Sequence, residues 1–288
     1  MNLLQDLFTG LSVGLVYGVV GAGFVVVHRL TGMVNFAQGE LAMVGGFGAV
    51  VAARALSPEL SALVGALIGA VTGLLLYVLV VHPLRRHGLL VQTIATLAAA
   101  LVLRSLAQLL FGSQPYPLAP FSDGGPLRVA GASIAYQTLW LLGLTVALYV
   151  ALTLFFDRSM TGRAMSACAI NRYAAGVVGI NVVAMAAVAF VVSGAITGLA
   201  GAVAAPVAFA SAASGLGLAL KGFVAAILGG FDKIGLAIVG GVLVGFVESF
   251  AASTISTAYQ EVIVLGLLLV LLVARPSGLT RLKVADRV

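Results

Sequence analysis

Apolar residues run along the chain in long blocks, at about 7 to 27, 33 to 53, 61 to 81, 89 to 111, 136 to 156, 182 to 204, 218 to 230, 234 to 252 and 261 to 274. A membrane-crossing helix needs about 20 mostly apolar residues, so most of these blocks are long enough to span. The blocks at 218 to 230 and 261 to 274 are too short and are expected to be tilted, re-entrant or buried by their neighbours. The prolines (Pro58, Pro83, Pro115, Pro117, Pro120, Pro126, Pro206 and Pro276) fall between or just beyond the blocks, where a missing backbone donor costs least. The pattern predicts an all-α, polytopic transmembrane fold of roughly eight to nine membrane segments.

Composition agrees with this. At 61% hydrophobic and 8% charged residues, with a mean hydropathy of +1.18, the chain has too few polar side chains to cover a soluble surface. Its 288 residues leave no room for a soluble catalytic domain beside the helices. The 15 basic residues are scattered between apolar blocks and form no face for nucleic acid; what they encode is orientation. If the blocks alternate, the loops with His28 and Arg29, His82 to His87, 157–181, Asp232 and Lys233, and the tail after Arg275 share one side. That side then carries most of the positive charge, against Arg54, Arg128 and Lys221 opposite. The positive-inside rule puts it in the cytoplasm, with the N-terminus outside and the C-terminus inside. The chain is thus expected to be a single transmembrane domain over 1–288, with an extracytoplasmic loop at 112–135 and a cytoplasmic loop at 157–181. Cys168, on that cytoplasmic loop, is alone, so an internal disulfide is excluded. Residues 1–7 carry Asp6 and no Lys or Arg, unlike a cleaved secretory leader, and the first block is expected to be retained.

Glycines recur at four-residue spacing: Gly10, Gly14 and Gly18; Gly65, Gly69 and Gly73; Gly194 and Gly198; Gly241 and Gly245. Such faces let helices approach closely, either within the chain or against a partner subunit. Between the first two blocks, Leu30-Thr-Gly-Met-Val-Asn-Phe-Ala-Gln-Gly-Glu40 sets Asn35, Gln38 and Glu40 at the entrance to an apolar helix. An ordinary helix start would use Asn as a cap and Glu for the dipole. The alternative is that these groups line a path, because polar side chains at membrane depth need a cavity or a partner. A second interruption, Ala212-Ala-Ser-Gly-Leu-Gly-Leu-Ala-Leu-Lys-Gly222, lies in the other half. Paired Gly-interrupted helices in two halves mark the binding region of many transporters, which makes Asn35, Gln38 and Ser214 candidate path-lining residues. Arg104 and Glu248 fall within blocks and either pair or, for Arg104, snorkel outward.

Catalytic chemistry finds little support. Gly10-Leu-Ser-Val-Gly14 fits the serine-hydrolase pattern but lacks a strand-to-helix elbow and His or acid partners. His28, His82 and His87 show no metal-ligand spacing, and no phosphate-binding Gly-x4-Gly-Lys-Ser/Thr loop occurs, so any ATP is hydrolysed by another chain. The loop at 157–181 is Ala-rich from Ala164 to Ala175, carries Asn171 and Arg172, and reaches Gly179, a residue suited to a helix stop; a short exposed helix is expected there. Arg163 and Arg172 could meet acidic partner groups or lipid headgroups.

Val34-Asn-Phe-Ala-Gln-Gly-Glu40, followed by Met43 and Gly45, resembles the first signature of the branched-chain amino-acid ABC permeases, in their LivH-type branch. Three further segments resemble that family in order: Thr161 to Asn181, its cytoplasmic docking loop; Leu220-Lys-Gly-Phe-Val-Ala-Ala-Ile-Leu-Gly-Gly230 with Gly240, Gly241 and Glu248; and the ending Ala274-Arg-Pro-Ser-Gly-Leu279. Gln38 stands where many relatives have His, and Asp232 and Lys233 replace a more glycine-rich turn. The resemblance implies a permease in a bacterial inner membrane, paired with a second, LivM-type permease, two ATPase subunits and an extracytoplasmic solute-binding protein. It implies that this chain binds no cofactor, ATP and Mg residing on the ATPases, and that Gly162, Arg163, Asn171, Arg172 and Gly179 take part in coupling to them. It also implies that the binding protein selects among branched-chain amino acids, other amino acids, urea or aromatic acids. The rivals are a stand-alone secondary transporter or channel, which would show intramembrane acid or His relays, and a membrane-embedded enzyme, for which no convergent nucleophile and base set is visible.

Overall fold

The computed structural model describes residues 3–122, 124–129, 132–254, 261–266 and 270. The helices, in chain order, are α1 (Leu3–Thr31), α2 (Gln38–Ala52), α3 (Pro58–Leu76, continued by a π-helical turn at Tyr77–Val81), α4 (Leu89–Phe111), α5 (Tyr136–Arg158), α6 (Met160–Ile170), α7 (Arg172–Val177), α8 (Val182–Ala208), α9 (Ser214–Leu228) and α10 (Ile234–Thr254). Among the described residues six helices are long and apolar enough to cross a membrane: α1, α3 with its π turn, α4, α5, α8 and α10. The Arg-Pro-Ser-Gly-Leu ending, with Pro276 and the charges Arg281, Lys283 and Arg287, lies outside the described residues.

Burial ranks these helices. The most apolar stretch of α1 is 83% buried, whereas those of α4 and α5 are 17% buried, so α1 is the central post and α4 and α5 are peripheral. Peripheral faces are rich in uncovered Leu and Val, such as Leu101, Leu109 and Val146, which is stable only against lipid or another apolar surface.

Several sequence expectations need correction. The block at 33 to 53 does not make a full-length span: its helix, α2, begins only at Gln38 and has 15 residues. The loop at 112–135 contains a small antiparallel hairpin, β1 (Leu127–Val129) against β2 (Ala132–Ile134), so the fold is helical with one minor β element. Pro206 lies inside the last turns of α8 rather than beyond it. Lys221 is not an outer-loop charge; it sits within α9. The single helix expected at 164 to 175 is two, broken at Asn171, whose extended backbone lets its side chain cap α7.

Side-chain contacts gather the helix ends into two groups. At one end Arg172 donates to Leu30 O, Tyr77 OH donates to Val183 O at 3.0 Å, Arg29 lies over the Phe156 ring and His28 packs on Phe231. At the other, Ser133 N–H donates to Gln5 Oε1 at 2.8 Å, Tyr116 bridges Ala210, and Ser249 donates to Asp6 O. The basic loops at 28 to 29, 82 to 87, 157 to 181 and 232 to 233 therefore share one end, as alternation of the blocks requires.

The glycine faces are consumed inside the chain. A Cβ added at Gly69 would fall 2.3 Å from Gly194 O, and one at Gly194 would fall 2.2 Å from Gly69 O, so α3 and α8 touch backbone to backbone. Across α1 and α10 a Cβ at Gly241 would meet Gly18 N at 2.1 Å and one at Gly245 would meet Gly10 O at 2.2 Å. Within a bilayer, where helices gain little by hiding apolar area from lipid, such close packing is a main source of cohesion.

Gly69→Val should therefore lower the thermal midpoint of the purified protein sharply, since overpacking costs typically about 1–3 kcal/mol and here the obstacle is backbone. Gly143 on α5, where a Cβ meets nothing within 4 Å, is the control: Gly143→Ala should leave the midpoint unchanged or raise it slightly.

Candidate functional site

Two helix interruptions meet in the interior. The first, 32–37, satisfies its own backbone: Met33 N–H donates to Thr31 Oγ1, Phe36 N–H to Thr96 Oγ1 at 3.1 Å, and Ala37 N–H to Asn35 Oδ1. The second, 209–213, does the same through the Tyr116 and Ala210 pair of backbone bonds and through Ser211, which accepts from Ala213 and Ser214. From these breaks α2 and α9 start at depth and run to opposite ends of the bundle. They touch at Gly39, where a Cβ would meet Gly215 O at 1.9 Å.

Asn35 and Gln38 are buried in a closed network. Asn35 Nδ2 donates to Gln38 Oε1 at 3.1 Å, Gln38 Nε2 donates to Thr197 Oγ1, and the Ser193 hydroxyl lies 2.9 Å from Gly23 O and 3.0 Å from Gln38 Oε1. Gly23 makes the room: a Cβ there would sit 2.1 Å from Gln38 Nε2. This cluster pins the start of α2 to α1 and α8. Ser214 differs, because it lines a cavity.

That cavity has a volume of about 400 Å³ and is lined by Tyr17, Arg104, Ser214, Gly217, Lys221 and Glu261, with leucines and Val264 between them. Tyr17 is the middle residue of the 29-residue α1, so the cavity reaches mid-depth, about 20 Å from either end of that helix, while Arg104 stands about 10 Å from the Phe111 end of α4. Lys221 Nζ pairs with buried Glu248 Oε1 and also donates to Tyr17 OH at 3.2 Å. Glu248 thus pairs with Lys221 and not with Arg104. Glu40, in the first turn of α2, is 3% exposed and rests its carboxylate against Gly215; its Oε2 accepts no hydrogen bond among the described residues. Arg104 is the cation whose field reaches it. Ser12, in the Gly-x-Ser-x-Gly pattern, bonds to Phe8 O and Thr138 Oγ1 within the helix packing.

Lys221, Tyr17 and Glu261 escape a reading of the sequence alone. The signal available for Lys221 is an opposite charge, Glu248, in the following apolar block.

At the basic end α6 and α7 form a knuckle beyond the bundle. Ser159 caps α6 by accepting from Gly162 N–H at 2.9 Å, and a Cβ on Gly162 would strike Phe155 O at 2.0 Å, so α6 folds tightly against the end of α5. Asn171 caps α7, accepting from Ala174 N–H. Arg172 donates to Leu30 O and ties the knuckle to α1. Gly179 has φ +89°; its N–H donates to Gly176 O and that of Ile180 to Ala175 O, the paired bonds of a left-handed helix stop. Arg163 is exposed, and its guanidinium hydrogen-bonds Met160 Sδ. Cys168 is 1% exposed, and burial pushes its thiol above the usual range despite the opposing charge of Arg172. Meanwhile Met160, Ile170, Tyr173, Val177 and Val178 are 71–84% exposed, an uncovered apolar patch.

Residues 7–273 match the model of the branched-chain amino acid transport system permease component family. The chain is 30% identical to the high-affinity branched-chain amino acid transport permease BraD of Pseudomonas aeruginosa, with 96% of this chain and 95% of that one covered. It is 28% identical to the corresponding LivH of Escherichia coli (97% and 96% covered), and 28% identical to a LivH-type permease of Methanocaldococcus jannaschii (91% and 87%). Among solved structures, an ABC transporter of metal-chelate type in an inward-facing conformation superposes with a TM-score of 0.52 at 16% identity, covering 94% of this chain and 87% of that one, which makes the fold that of an ABC permease.

The Lys221 and Glu248 pair is open to a double-mutant cycle. Lys221→Met should destabilise the protein by about 3–5 kcal/mol, because Glu248 is left buried without its cation, whereas Lys221→Met with Glu248→Leu should recover most of the loss. Thermal unfolding in detergent reads both.

Proposed function

The chain belongs to the branched-chain amino acid transport permease family, and on that premise we propose that it is the LivH-type subunit of an ATP-driven importer for branched-chain or related amino acids. It forms the translocation path together with a second, LivM-type permease. Two ATPase subunits, which hold the ATP and Mg, drive the cycle, and an extracytoplasmic binding protein delivers the substrate. The protein is multi-pass, with its N-terminus outside and its C-terminus in the cytoplasm. Convergence of the basic loops on one end of the bundle supports that orientation.

The observation that carries the proposal is the apolar patch of α6 and α7. Met160, Ile170, Tyr173, Val177 and Val178 lie on two short helices beyond the membrane spans and are left uncovered by the described residues. A patch of that kind marks a protein partner. Its anchors also suit force transmission. Gly162 fastens it to α5 and Arg172 fastens it to α1, so movement of the knuckle is passed to the helix whose centre lines the cavity. Closure of the ATPases would thus rock α1 and α5 and alternate the cavity's opening.

Reconstituted vesicles holding the complete complex test this. Tyr173→Asp and Gly179→Val should each cut ATP-driven uptake of L-leucine at least about tenfold, the first by placing a charge in the dock and the second by straining a left-handed stop. Uptake that proceeds without ATP, or that ignores both variants, would falsify the ATP-driven scheme. For orientation the native thiol is a poor reporter, since Cys168 is buried. An Arg86→Cys thiol, at an exposed position of the basic loop at 82 to 87 and outside the proposed dock, should react with a membrane-impermeant reagent only after sealed cells are opened.

A further inference from the structure

We propose that the mid-depth cavity is itself a selective site for the charged head of a free α-amino acid, with Arg104 receiving the carboxylate and Glu261 the ammonium. It rests on the transport function above and adds to it a second filter, inside the permease, behind the one supplied by the binding protein.

Three features of the cavity support this. Arg104, which is half-buried, and Glu261, which is exposed, both line the cavity and have neither a hydrogen bond nor an ion pair among the described residues. The other cation, Lys221, is already held by Glu248 and Tyr17, so it stabilises the wall without competing for a ligand. Apart from Ser214 the remaining wall is apolar, with Leu216, Leu220 and Val264 among its residues. A cavity of about 400 Å³ with two opposite charges that have no partner among the described residues and with a largely aliphatic wall fits a zwitterion that carries an aliphatic side chain. The first turn of α9 does not serve as the carboxylate site, because the Glu40 carboxylate already rests against it at Gly215. That leaves a guanidinium, which can grip a carboxylate with two parallel hydrogen bonds.

Gly217 supplies a reporter, since a Cβ there meets nothing within 4 Å and the residue lines the cavity. In the complete reconstituted complex with Cys168→Ala, the rate at which N-ethylmaleimide labels the Gly217→Cys thiol is measured with L-leucine, isovalerate or isoamylamine present. L-leucine should slow labelling by the factor one plus its concentration over Kd, about tenfold at roughly ten times Kd. Isovalerate and isoamylamine, each lacking one charge, should protect at least about tenfold less well. Arg104→Gln should weaken leucine protection by about tenfold to a hundredfold while leaving protection by isoamylamine as it was, and Glu261→Gln should do the converse for isovalerate. If either variant protects like the parent, if isoamylamine protects as well as leucine, or if the thiol cannot be labelled in any nucleotide state, the site is not there. Leucine uptake by the wild-type complex is measured alongside. Uptake without protection overturns the site alone, whereas absent uptake overturns the transport function on which it rests.

Discussion

Inside a bilayer no water is at hand to satisfy a stray backbone donor or acceptor, and every other feature of this chain is arranged around that constraint. Long helices meet it by default. The two interruptions do not, and each survives because it carries its own replacements: Asn35, Thr31 and Thr96 at the first, Ser211 and the paired backbone of Tyr116 and Ala210 at the second. Once the breaks are satisfied, two helix starts can sit at depth, which brings Glu40 and Ser214 into the interior of an otherwise apolar bundle.

The same low-dielectric setting governs the charges. Lys221 on α9 and Glu248 on α10 would each be prohibitive alone; together they form a bridge anchored by the Tyr17 hydroxyl of the central helix. The pair fixes the relation of α9 to α10 and α1 at the level of the cavity. Glycine contact does the corresponding work over the rest of the length: Gly10, Gly14 and Gly18 let α10 lie against α1 with no side chains between the backbones. Close backbone packing and one buried ion pair therefore share the task that apolar burial performs in a soluble core.

What could be read from the sequence follows from how local each signal is. The long spans, the break between the first two blocks and the left-handed stop at Gly179 are written in runs of neighbouring residues, whereas the block at 33 to 53 yields only the 15-residue α2 and the second interruption falls at 209–213 rather than over 212 to 222, where α9 is already helical from Ser214. Asn35 and Gln38 stood out as polar groups at a helix entrance, but their partners Ser193 and Thr197 are 155 and 159 residues from Gln38, and no periodicity reveals such a distant contact. Lys221 was misassigned to an outer loop because its block is short, and its partner lies 27 residues on, across a turn whose register is set by packing rather than by pattern. The break at Asn171 is an intermediate case. An Ala-rich run favours one continuous helix, yet an Asn side chain that can cap a new one competes with it, and here the cap wins.

On the proposed coupling, motion of the knuckle would reach the cavity through α1. This helix runs through the centre of the bundle, receives Arg172 near one end at Leu30, makes space for Gln38 at Gly23 and meets Lys221 at Tyr17. A shift of α1 imposed at Leu30 would bear directly on α10, because the two backbones are in contact at Gly14, Gly18 and Gly241. Glu248 lies on α10, and its ion pair would carry such a motion to Lys221 and α9, the helix that forms much of the cavity wall. Of the lining residues, Arg104 belongs to the peripheral α4 and Ser214 to α9, which is tied to the core. Rocking the core against α4 would therefore change the width of the cavity while leaving the polar clusters that hold the interruptions intact.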